Sequence, residues 1–157
     1  MSHKGFTLIE LMVTLAVLAI VLGLAVPSFS SMLQDNRASS MGAELQGALQ
    51  VARSEAVKRR QSVIICRSNA AGTACEHGED WSGGWLVRQS GGDVLKVWNR
   101  AQGLAVVGPN VGVTFRGNGM ASANELSVKP TACTGEQKRV LTVSATGSTS
   151  LRKAACQ

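Results

Sequence analysis

One carboxylate, Glu10, interrupts an otherwise apolar stretch that runs through residues 6–26. An acid inside a membrane span is costly, so it marks a function and calls for a cation close by. The chemistry it offers is electrostatic pairing. The remaining reactive residues are four cysteines (Cys66, Cys75, Cys133 and Cys156), two histidines and an excess of basic side chains that leaves a formal net charge of +6. His3 lies near the start, and His77 sits beside Glu76 and Glu79. A zinc site built from Cys66, Cys75 and His77 lacks any CxxC spacing, which makes His77 a solvated loop residue. No nucleophile–base arrangement stands out, so the chain reads as a non-enzyme with no cofactor.

Length decides what the apolar stretch is. Residues 6–26 span about 31 Å as a helix at ~1.5 Å per residue, close to the roughly 30 Å hydrocarbon core of a bilayer. A secretory signal has a shorter apolar core of about 7–15 residues and a small-residue cleavage site, whereas Pro27-Ser28-Phe29 follows here. Lys4, on the leading side, suits a cytoplasmic N-terminus under the positive-inside rule. Pro27 is placed to kink the helix where it leaves the bilayer.

The run Gly5-Phe6-Thr7-Leu8-Ile9-Glu10 resembles the cleavage and assembly motif of type IV pilins and type II secretion pseudopilins. The resemblance implies that a prepilin peptidase cuts between Gly5 and Phe6, that the new N-terminal Phe6 is methylated, and that Glu10 is the retained acid. Cleavage leaves a positive amine on Phe6, and Glu10 lies about one helical turn deeper. In a helical stack of subunits the amine of one chain meets the glutamate of the next. Such a pair fixes axial register, as a buried polar group does in a coiled coil. The partners implied are minor and major pilin subunits, the peptidase and an inner-membrane assembly platform.

About 130 residues follow the span, enough for one compact domain with its own core. With a cytoplasmic N-terminus, one crossing puts all four cysteines in the periplasm, where disulfides persist. Four cysteines allow three pairings, and sequence does not choose among them. Proximity favours Cys66 with Cys75, and Cys133 with Cys156.

The elements that carry these residues are one long helix and then strands. Met41, Leu45, Ala48, Leu49, Ala52 and Ala56 recur at helical spacing, with Glu44, Arg53, Glu55, Lys58 and Arg59 largely off that stripe. The helix should therefore continue amphipathically to about Arg60. Gly42 and Gly47 weaken it, as where something packs closely. Residues 62–66 read as a strand, and 85–88 with 94–98 as a β-hairpin turning on Gly91-Gly92. Further strands are expected at 104–107, 111–115, 125–128, 139–144 and 151–156. No crossover helices separate them, so the class is α+β: a long N-terminal helix packed on an antiparallel sheet. The division expected is a leader at 1–5, a membrane-spanning helix at 6–29, a periplasmic amphipathic half at 30–61 and an antiparallel β domain at 62–157.

A finer resemblance runs through the second part of the chain. The segment from Ala52 to Arg59, Trp81-x-x-Gly84-Trp85, Thr114-Phe115-x-Gly117-x-Gly119 and Val143-Ser144-x-Thr146-Gly147 are similar to the GspH/FimT branch of minor pilins and pseudopilins. Membership implies a low-abundance subunit that primes or caps a filament. Pro27 falls where type IV pilins carry their kinking proline and the secretion version often lacks it, which favours the pilus over a protein H type pseudopilin. Some members of the branch bind DNA through a C-terminal Gly-Arg-x-Arg loop. Here the stretch is Gly147-Ser148-Thr149-Ser150, and only Arg152 and Lys153 follow it. Beyond residue 100, Arg116, Lys129, Lys138, Arg139, Arg152 and Lys153 face only Glu125 and Glu136 in the sequence, a balance that attracts phosphates without sequence preference. Trp81, Trp85 and Trp98 read as core anchors, with Trp85 opposite Trp98. Gly117-Asn118-Gly119 reads as a tight turn, because it lacks the strand-to-helix setting of a phosphate loop.

Overall fold

A computed structural model describes residues 5–99 and 101–156, with the side chains of residues 24–28 outside the described set. The orientation reading on Lys4 and the kink reading on the Pro27 side chain therefore lie outside the described residues. The chain divides into two compact units, Met1–Gln34 and Asp35–Gln157.

One helix, α1 (Leu8–Arg59), contributes to both units. It starts at Thr7, whose Oγ1 accepts the backbone N–H of Glu10 at 3.3 Å, satisfying one of the orphan donors of the first turn. In the first unit the apolar side chains are exposed all round, from Phe6 at 76% to Leu22 at 51%. A helix that is apolar on every face has to be covered by lipid or by other protein. Among the described residues no helix is long and apolar enough to cross a membrane. The described side chains of the stretch stop at Gly23, short of the Val26 end of the sequence span.

In the second unit the apolar stripe is buried: Ala38, Leu45, Ala48, Leu49, Ala52 and Ala56 are all fully covered. The alanines let β strands approach closely. Gly42 does the same job, since a Cβ there would meet Arg139 Cβ and Leu151 Cδ1, each at 3.3 Å. Gly47, by contrast, has nothing within 4 Å. The helix ends with Lys58 and Arg59 in its last turn, favourable to the dipole. Arg60 follows in the left-handed region at φ 53°. The N–H of Gln61 reaches Ala56 O and that of Arg60 reaches Val57 O, each at 3.2 Å, which is the Schellman arrangement.

Eight strands follow among the described residues: β1 (Val63–Arg67), β2 (Trp85–Gln89), β3 (Val94–Trp98), β4 (Leu104–Val107), β5 (Val113–Phe115), β6 (Asn124–Pro130), β7 (Lys138–Val143) and β8 (Thr149–Ala154). They form two four-stranded sheets rather than one, in the orders β3-β2-β1-β5 and β4-β6-β7-β8. Every strand pairing among the described residues is antiparallel, and the hairpin sets Trp85 opposite Trp98. One core joins α1 to both sheets, with Trp81, Trp85 and Phe115 its largest fully buried side chains. Trp98 is half-buried, with Lys96 Nζ 4.8 Å from its ring centroid. Disulfides join Cys66 to Cys75, at the end of β1, and Cys133 to Cys156, which ties the region after β8 to the β6–β7 connection.

Candidate assembly sites

Glu10 occupies the third position of α1 behind its Thr7 cap, so the run Thr7-x-x-Glu10 has the spacing of a capping box. The capping box was the unread signal in this motif. The Glu10 side chain is exposed and makes no ion pair among the described residues. A carboxylate so placed on an apolar helix is available to a cation from another chain.

A second site gathers segments far apart in sequence. Arg53, on the outer edge of the buried stripe of α1, donates from Nε to Gly119 O at 3.2 Å and from Nη2 to Thr146 O at 3.0 Å. It thereby ties the turn after β5 to the turn between β7 and β8. Both turns need glycine. Gly119 and Gly147 adopt φ of 81° and 75°, and a Cβ on Gly147 would meet Gly119 O at 2.0 Å. The first turn also closes on itself, Gly119 N–H to Arg116 O at 2.8 Å, and Gly117 lies against the backbone of Arg60. In the second turn Ser144 Oγ lies 2.8 Å from Thr146 Oγ1 and 2.7 Å from Ser148 Oγ. Arg53, Gly119, Thr146 and Gly147 thus meet at one place, while Gly117 packs against Arg60. Sequence alone marks them as motif positions without showing what they do.

The basic C-terminal surface needs correction. Arg139 is 3% exposed, so it is a core cation and not part of a surface patch. Its guanidinium meets Asp35 Oδ1 at 2.5 Å and Ser39 Oγ at 2.8 Å, and donates to the carbonyls of Glu136 and Lys138. Lys153 reaches the other oxygen of Asp35 at 3.1 Å, and Arg152 lies 3.8 Å from Glu125. The sequence balance missed Asp35, which precedes these strands by about 100 residues and reaches them only because α1 packs there. Hydrogen bonding from Arg139 holds the Asp35 carboxyl below the usual carboxylate range, with Lys153 adding to the effect and burial opposing it. Both cations considered for phosphate therefore face carboxylates. The thiols considered for zinc, Cys66 and Cys75, are joined to each other, and His77 is exposed.

A capped apolar helix start, followed by a helix half packed on antiparallel sheets, defines a pilin-like α+β protein. The family model described as type II transport protein GspH matches residues 42–147, and the prokaryotic N-terminal methylation motif matches residues 1–26. The chain belongs to the GspH family. It is similar in fold to the type IV minor pilin FimU of Pseudomonas aeruginosa, at 24% identity and a TM-score of 0.60, over 78% of this chain and 96% of that one. A second crystal form of FimU gives 0.57 at 24% identity, over 76% and 99%. The minor pseudopilin EpsH from the type 2 secretion system of Vibrio cholerae gives 0.49 at 15% identity, over 76% and 97%. No curated protein matches the chain. Membership of this family implies contact with other pilin-type subunits in a filament.

Proposed function

We propose that this chain is a minor type IV pilin that primes or caps a pilus. Before assembly, residues 6–26 hold it in the inner membrane as a single span, with the β domain in the periplasm. A prepilin peptidase removes residues 1–5, Phe6 is methylated, and an assembly platform moves the subunit into the filament. Lipid and neighbouring helices are both apolar, so this transfer need not be strongly uphill. The chain works by protein–protein contact and not by catalysis. The observation that carries the reading is Glu10, a carboxylate without an ion pair among the described residues, behind a helix cap in the first turn of an apolar helix. In the filament, the Phe6 amine of a neighbour supplies the missing charge.

A second reading, a minor pseudopilin of type II secretion, is favoured by the matched GspH family. Deleting the chain in its own cells separates the two: loss of surface pili with normal exoprotein export supports the pilus. Loss of export with normal pili supports the secretion system. Mass spectrometry of the mature N-terminus tests both, because each requires a methylated Phe6 start.

A further inference from the structure

We propose that the groove between α1 and the β7–β8 turn receives a carboxylate-bearing loop of a different pilin-type subunit, an inference that rests on the filament reading above. The groove has a volume of about 730 Å³; Arg53, Ser54, Val57 and Lys58 line one side, and Ser148 and Thr149 the other. No carboxylate lines it. Arg53 spends two donors on neutral carbonyls and pairs with no acid among the described residues, so its charge is not neutralised locally. Lys58 is 76% exposed, and among the described residues its one ion pair is with Glu55, at 3.9 Å, a separation at which a surface pair contributes little. Val57, 48% exposed, adds an apolar contact between the two cations.

The groove is also pre-formed, because Arg53 bonds both turns before any partner arrives. Ordering cost on binding is correspondingly small. Charge complementarity selects an acidic occupant. The full chain's net charge of +6 falls by one when Lys4 leaves with residues 1–5, and the excess that remains works against a second copy of this chain, so the partner is a different subunit.

The test uses the full chain carrying Glu55→Gln, which removes the neighbouring intramolecular acid, in cells that assemble filaments. A zero-length carbodiimide joins an amine to a carboxylate only when they touch. The expected result is an amide between Lys58 Nζ and an Asp or Glu of another pilin-type subunit in the filament fraction. Lys58→Arg keeps the charge but has no coupling amine, and should lose that product. Lys58 left uncoupled while the chain is present in filaments overturns the inference, as does coupling to a second copy of this chain. Absence of the chain from the filament fraction sinks the filament reading itself, and this inference with it.

Discussion

Arg139 on β7 and Asp35 on α1, 104 residues apart in sequence, meet at 2.5 Å. The pair anchors the helix to the second sheet, and Arg139 is almost entirely buried. Removing one partner of a buried pair typically costs about 3–5 kcal/mol, because it strands the other charge. Here Ser39 and backbone carbonyls remain as acceptors, and Asp35 is partly exposed. Asp35→Asn should therefore lower the unfolding free energy by about 2–3 kcal/mol, measured by denaturant titration of the full chain in detergent. An unchanged midpoint would mean that the carbonyls alone satisfy Arg139.

The same contact sets an acid limit. The Asp35 carboxyl titrates below its unfolded value, chiefly through the Arg139 hydrogen bond. A depressed pKa stabilises the fold above the unfolded value, about 4, and that contribution is lost as pH falls through the lower, folded value. Thermal midpoints should drop as pH falls below about 4, the value for a free carboxyl. In Asp35→Asn the drop should be shallower. Parallel pH profiles for the two proteins would contradict the assignment.

The disulfides should differ in worth. Loop-closure entropy gives roughly 2.6 kcal/mol for the Cys66–Cys75 separation of 9 and about 3.4 kcal/mol for the Cys133–Cys156 separation of 23. The double variant Cys133→Ala/Cys156→Ala should accordingly melt at the lower temperature of the two pairwise deletions. The reverse order would show that native contacts near Cys66 outweigh chain entropy.

Two glycines give opposite outcomes on substitution by alanine. Gly47 is helical with nothing within 4 Å, so Gly47→Ala should stabilise by about 0.5–1 kcal/mol. Gly147→Ala places a methyl 2.0 Å from Gly119 O at a positive φ, and should cost more than about 2 kcal/mol. Calorimetry on the pair checks both signs.

Local patterns carried most of this architecture. Short apolar runs and the Gly91-Gly92 hairpin turn located the strands, and the alanine–leucine stripe carried the helix to Arg59, beside the expected end at Arg60. The division into two sheets was not legible, because it depends on β5 crossing back to pair Val63 with Phe115. Gly42 was legible as a close approach, but the equivalent reading of Gly47 was not met. Burial of Arg139 was invisible for a related reason: an arginine at a strand start reads as solvated until the helix that brings Asp35 is in place. Arg53 fell off the buried stripe and so looked like a surface cation, although its acceptors are backbone carbonyls that no residue-type pattern encodes. The cap at Thr7 went unread, although its spacing from Glu10 is that of a capping box.

Glu10 serves assembly and not membrane insertion in the proposed function. Comparing Glu10→Ala with the unaltered chain for membrane content and for recovery in the filament fraction tests it most directly. The expected outcome is equal membrane content and loss of the chain from filaments. Equal recovery in filaments would contradict it.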